Sequence, residues 1–250
     1  KKNFFYVYKY INGKVLSEKK IAKKECKLLL NWAKKKLFKK NKLSKIKIET
    51  FKKESKKFYY YKTNRRINAF RKITKIQDKV YLINNKRIPK LKNLIKKINW
   101  KSIYNGFPAK FHGDFHFENI IKKNNNFKLI DWRENFSKKF LYGDMYYDLA
   151  KLNHSFIVNH EKISKGRYQI SIKKNNVRIA ISRKKDLALG QKIFYDFLIK
   201  NKFDIYKVNI LTGLIFLNIA CLHDHPYSEF LYFLGLECLY KTYKENQIRL

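Results

Sequence analysis

The most constraining stretch of this 250-residue chain is 109–131. Residues 109–112, 120–123 and 127–130 are short runs that predict strands. Asn124-Asn125-Asn126 supplies a turn between the last two, because Asn tolerates the left-handed backbone such a turn needs. Two strands joined this tightly form an antiparallel hairpin, and its open ends lie side by side. Asn119 stands before the first strand and Asp131 after the second, so the two should converge. Asp114 precedes them in a loop opened by Gly113. One loop and one hairpin thus deliver an amide and two carboxylates to a single place.

That set suits phosphoryl transfer, in which the protein positions the reactants and metal ions neutralise the phosphates. A carboxylate and an amide oxygen fit Mg²⁺, which keeps several waters and shares phosphate oxygens. Asn119 and Asp131 are the expected metal ligands, and Asp114 is the expected base for an attacking hydroxyl. Each alone could be a turn former or a strand-end cap. Their combined spacing, followed by Asp144, argues against that reading.

The run Phe111-His112-Gly113-Asp114-Phe115-His116-Phe117-Glu118-Asn119, with Ile130-Asp131-Trp132 after it, resembles the signature of the aminoglycoside phosphotransferase and choline kinase superfamily, relatives of the protein kinases. Gly143-Asp144-Met145-Tyr146-Tyr147-Asp148-Leu149-Ala150 is similar to the same family's helix start. There the first Asp braces the catalytic loop, which implies that role for Asp144, with Asp148 assisting and His112 packing beneath. Residues 8–16 resemble the family's hinge, implying that Tyr8, Lys9 and Tyr10 meet the adenine of ATP. The implied fold is α+β and protein-kinase-like, mainly the helix-rich C-terminal lobe with small β-hairpins: 1–16 as the end of an N-lobe and hinge, 17–250 as the catalytic and substrate lobe. The eight glycines form no Gly-rich phosphate loop, and the single methionine is Met145. The expectation is therefore that the small nucleotide-binding lobe lies upstream of residue 1.

Elsewhere, 4–11 predicts a strand closed by Asn12-Gly13, and Ser17 a cap for a basic helix over 18–40 with Ile21, Leu28, Leu29, Trp32 and Leu37 inward. A second helix is predicted over 49–73. Hairpins are predicted at 80–88 around Asn84-Asn85 and at 168–182 around Asn175-Asn176. Helices are predicted at 90–98, from Asp144, and through most of the chain after Lys185. The apolar stretch 210–222 is too short for a membrane span, for which about 18 residues or more are needed, and reads as a core helix. Three scattered cysteines suit free thiols in a reducing cytoplasm better than a disulfide or zinc framework. His112 and His116 are four apart, a zinc spacing on a helix, but Gly113 and the strand signals argue against a helix there.

The net charge of +40 invites a nucleic-acid reading. The excess is mostly Lys, spread along the chain together with abundant Asn and Ile, whereas phosphate and base recognition favours Arg. A solvated, compositionally biased surface is the better reading, and no nucleic-acid or membrane partner is expected. The expected partners are a nucleotide and a small hydroxyl acceptor. With 19 acidic residues against 59 basic ones, the chain offers no second carboxylate cluster for a polycationic antibiotic. A sugar or sugar derivative fits better, and an amino alcohol such as choline stays open because 16% of residues are aromatic. Candidate acceptor contacts are His116, Glu118, Trp132, Glu134, His223 and Asp224. Two other readings compete: a catalytically inactive kinase-like scaffold, and a charge-driven polyanion-binding module whose binding would be steeply salt-dependent and indifferent to Asp114.

Overall fold

A computed structural model describes residues 10–133, 136–137 and 140–247. Helices dominate, with three small sheets. In chain order the elements are α1 (Lys23–Lys36), α2 (Lys45–Lys56), α3 (Lys62–Thr74), β1 (Tyr81–Ile83), β2 (Lys86–Ile88), α4 (Leu91–Lys97), α5 (Trp100–Tyr104), β3 (Pro108–Ala109), β4 (Ile120–Lys123), β5 (Asn126–Leu129), β6 (Gly143–Asp144), α6 (Met145–Ile157), α7 (His160–Ser164), β7 (Tyr168–Lys173), β8 (Asn176–Ile181), α8 (Lys185–Lys200), α9 (Ile205–Ala220) and α10 (Tyr227–Gln247). The expected strand at 4–11 falls mostly outside the described residues; Tyr10–Asn12 is not strand.

The hairpins form where Asn supplies positive φ. Asn84 and Asn85 have φ of 47° and 64° between β1 and β2, and Asn124 has 54° between β4 and β5. In the third hairpin the positive φ falls on Lys174, one residue ahead of the expected Asn175-Asn176 turn. The first and third hairpins join through a parallel pairing of β1 with β8, Leu82 opposite Asn176, giving one sheet in the order β2-β1-β8-β7. Sequence periodicity could not reveal that junction. The expected strand at 109–112 shrinks to β3, paired with β6, because 110–112 turn away into the loop that carries Asp114.

α1 begins five residues later than expected. Ser17 lies in a 3-10 turn, Leu16–Glu18, and caps nothing. The amides at the true start are met by the Asp186 carboxylate on Ile21 N (2.9 Å), supplied from α8, and by Glu25 on Ala22 N (3.2 Å). The helix predicted over 49–73 extends over 45–74 and is interrupted by a π-turn, Lys57–Tyr61, between α2 and α3.

Two apolar cores flank α6. One gathers α9, α10, the four-stranded sheet and the α3 face of Ile67 and Phe70; Phe70 stacks on Tyr232 with centroids 4.4 Å apart. The other joins α1, the β4–β5 hairpin and α8. Tyr147 and Ala150 of α6 belong to the first core, and Met145, Leu149, Leu152 and Phe156 to the second. Every α6 residue from Tyr147 to Phe156 is buried. Among the described residues no helix is long and apolar enough to cross a membrane.

Phe156 is the pin of the second core: its ring meets Phe117 edge-on at 5.0 Å, lies 5.7 Å from Phe194, and sits where a Cβ on Gly190 would be 2.7 Å away. Phe156→Ala should lower unfolding free energy by about 3–5 kcal/mol, the usual cost of emptying a buried aromatic site. Chemical denaturation measures it, and a loss below about 1 kcal/mol would contradict this packing.

Candidate active site

The loop from Phe111 to Asn119 is hung on one stripe of α6. Asp144, Asp148, Lys151 and Ser155 recur at spacings of four, three and four, so they share a helix face. Asp144, the N-cap, accepts from Tyr146 N (3.1 Å) and Phe107 N (2.8 Å) on Oδ1. Its Oδ2 takes the Tyr59 hydroxyl at 2.8 Å, with the Lys207 ammonium 3.7 Å away. Asp148 accepts the amides of His112 and Gly113, both at 2.8 Å. Ser155 Oγ accepts from Phe117 N at 3.2 Å. Asp148, rather than Asp144, therefore carries the Asp114 loop directly; Asp144 holds the strand and helix junction beneath it. The reason is reach, since Asp148 sits one turn further along, level with Gly113. Burial raises the Asp148 carboxyl to about 7, against the pull of the two amides.

Gly113 is a glycine by necessity. Its φ is +82°, and a Cβ there would lie 2.6 Å from Arg133 Cβ and 2.7 Å from the Phe111 ring.

His112 is fully buried and ties the loop to the hairpin: Nε2 is 3.0 Å from Ile130 O, and Nδ1 accepts from Asp114 N at 3.2 Å. That fixes the neutral tautomer with the proton on Nε2. Burial pushes the ring down to about 4. It is a structural histidine on a loop, not on a helix. Trp132, half exposed, covers it at a centroid distance of 4.7 Å.

His116 behaves oppositely. Nε2 lies 3.0 Å from Asp114 Oδ2 and Nδ1 lies 2.6 Å from Glu118 Oε2. Burial alone would lower it, but the two carboxylates overrule burial and lift it to about 9, so the imidazolium donates to both. Asp114 also receives the Lys151 ammonium on Oδ1 at 2.5 Å. Burial would raise this carboxyl; His116 and Lys151 outweigh it and hold it well below the usual carboxylate range. For Lys151, burial works against the charge, and Tyr147 and Asp114 raise it above the usual lysine value despite that.

At the hairpin's open end Ile120 pairs with Leu129, and Ile130 N donates to Asn119 O at 3.1 Å. The next residue, Asp131, is exposed at φ 54°. Asn119 Nδ2 donates to Asp114 O (3.0 Å) and Oδ2 (3.4 Å), which turns Oδ1 away from the loop with no protein donor on it among the described residues. Asn119 Oδ1 and the Asp131 carboxylate are the groups here able to hold a cation. Among the described residues no cluster of three or more His, Cys, Asp or Glu could enclose a metal ion by itself. A cation would have to take its other ligands from water and a phosphorylated partner, which is how Mg²⁺ is usually held.

The other expected site residues are scattered. Tyr10 is 84% exposed, and Tyr8, Lys9 and Glu134 lie outside the described residues. Val15 bridges Ile121, which lays the residues just before α1 against β4. His223 is exposed, packs on the Tyr227 ring at 4.9 Å, and is lowered by burial and by His160. Asp224 is exposed, and its backbone carbonyl accepts Ser228 N at 2.9 Å near the start of α10. Lys151, Ser155, Tyr59 and Lys207 were not foreseen. The first two were detectable as the continuation of the Asp144–Asp148 stripe.

No family model, curated protein or solved structure matches the chain.

The two histidines should titrate far apart. His116 contributes stability that is complete below its unfolded value of 6.5 and fades as pH rises to about 9. His112 has a folded value of about 4, below 6.5, so the unfolded chain takes its proton first and stability falls as pH drops through that window. Imidazole ¹⁵N NMR between pH 3 and 10 should show His116 doubly protonated at neutrality and His112 neutral. Both rings titrating together near 6.5 would rule out this arrangement.

Proposed function

We propose that the chain is the catalytic lobe of an ATP- and Mg²⁺-dependent phosphotransferase acting on a hydroxyl of a small molecule, built on a protein-kinase-like fold. The observation that carries this reading is the joint placement of Asp114, Asn119 and Asp131. One carboxylate sits on a loop clamped by Asp148, beside an amide and a second carboxylate delivered together by the open end of the β4–β5 hairpin. The resemblance of 111–151 to the aminoglycoside phosphotransferase and choline kinase signature supports it on sequence grounds.

Asn119 Oδ1 and Asp131 would hold Mg²⁺, whose charge neutralises the transferring phosphate oxygens. Asp114 accepts the hydrogen bond of the acceptor hydroxyl and orients its oxygen. A carboxylate stabilised by Lys151 and His116 is a weak base, and a loose transition state asks little of a base until the bond to phosphorus is nearly made. His116 and Lys151 also hold Asp114 well below the usual carboxylate range, so it is ionised at neutral pH. About a third of the Asp114 side chain (32%) remains exposed, leaving an approach for the hydroxyl. His112, Asp148 and Ser155 position the loop without touching the reactants.

ATP consumption screened over sugars, amino alcohols and nucleosides tests the reading, using the chain with whatever sequence precedes it in its gene. Asp114→Asn should reduce transfer by about 10²-fold or more while sparing nucleotide binding. Asp131→Ala should abolish the Mg²⁺ dependence of nucleotide binding. Full rates in both variants would refute the mechanism. No turnover on any acceptor would favour an inactive scaffold.

A further inference from the structure

Beside the Asp114 loop stand cations with no anion of their own among the described residues. Lys62, partly buried, opens α3 directly after the π-turn; its ammonium lies 4.4 Å from the centre of the Phe58 ring and 5.9 Å from that of Tyr147. The Arg133 guanidinium carbon lies 5.3 Å from the same Phe58 centre, and its aliphatic part runs against Gly113, next to Asp114. Arg66, one turn along α3, is tied to Asn218 O at 3.0 Å. Among the described residues, neither the Lys62 nor the Arg133 side chain meets a carboxylate or a hydrogen-bond acceptor.

A surplus of lysine on a chain of charge +40 is unremarkable at a solvated surface, where an unpaired ammonium costs little. Enclosure changes that, because a cation taken out of water needs a partner. The two deeply buried lysines obey the rule: Lys151 has Asp114, and Lys207 has Asp144 with the carbonyls of Ser102 and Asn105. Lys62 has only ring faces, which offset part of the loss. Its burial, together with Arg133, Arg66 and Lys151, pushes it down to about 7. Arg133 runs beside Gly113 and shares the Phe58 ring with Lys62, while the one carboxylate nearby, Asp114, already serves Lys151 and His116.

We propose that Lys62 and Arg133 bind an anionic group, carboxylate or phosphate, on the acceptor, and so bring its hydroxyl to Asp114. This rests on the phosphotransferase reading for the hydroxyl, though not for the anion. A guanidinium fork and an ammonium that share the Phe58 ring suit a planar or tetrahedral oxyanion.

Calorimetric titration of the intact chain with glucose, glucuronate and glucose 6-phosphate, without ATP, tests the site. Both anions should bind at least about tenfold tighter than glucose, and Lys62→Gln and Arg133→Gln should each remove about tenfold of that. Whichever anion binds tighter identifies the group as carboxylate or phosphate. Lys173→Gln, on exposed β7, should change nothing. Arg133 is exposed, so its variant remains interpretable if Lys62→Gln fails to fold. Equal losses in all three variants would reduce the effect to diffuse charge and overturn the proposal. So would unchanged anion binding alongside weakened ADP binding, which would assign the cations to the nucleotide. Anion binding without ATP consumption would keep this site and remove the transferase reading; transfer to neutral sugars untouched by Lys62→Gln would do the reverse.

Discussion

The structure depends on one exchange of hydrogen bonds, between α6 and the loop that crosses it. A helix wedged between two apolar cores should be apolar all round. On α6, His154, Asn153 (paired with Thr212 and Gln191) and the loop-facing stripe of Asp144, Asp148, Lys151 and Ser155 depart from this. Buried carboxylates are tolerable only with donors, and an irregular loop pressed against a core is tolerable only if its amides find acceptors. Each side supplies what the other lacks: Phe107, His112, Gly113 and Phe117 donate, and the stripe accepts. The geometry of Asp114 follows from this, because its backbone is fixed one residue beyond two amides bonded to a single carboxylate.

The same exchange explains how a chain so rich in lysine keeps an anionic centre. Several of its acids pair with surface lysines, but five gather in one place. Asp114, Glu118, Asp131, Asp144 and Asp148 lie within one stretch of sequence and around one loop, and two of the enclosed cations, Lys151 and Lys207, are spent on neutralising them. Electrostatics here is local and structural, and the remaining positive field favours anionic ligands in general.

What was legible in the sequence shared a short range. Two hairpins were visible because Asn marks their positive φ, and the third because Asn175-Asn176 lies next to its turn; the β4–β5 hairpin then brought residues 119 and 131 to one end. The start of α6 near Asp144 was also legible. What stayed hidden was supplied from far along the chain. The residue before the α1 cap, Ile21, is held by Asp186 from 165 positions away, a contact no local pattern reveals. The β1–β8 pairing unites two hairpins about ninety residues apart. The respective duties of Asp144 and Asp148 depend on which loop amide each can reach, and Tyr59 reaches Asp144 across 85 positions. Spacing identified the residues of the stripe but not their partners.

The π-turn at Lys57–Tyr61 sets the phase of everything around it. An α-helix advances about 100° per residue, so one additional residue in a turn rotates all that follows by that amount. Before the turn, Phe51 faces Phe136 and Phe140 beneath the site; after it, Ile67 and Phe70 face α9 and α10. An unbroken helix of the same composition could satisfy one of these registers and would forfeit the other. The inserted residue is therefore a coupling: it lets a single rod report to both the Asp114 loop and the far core, and a homologue lacking it would have to rebuild one of the two contacts.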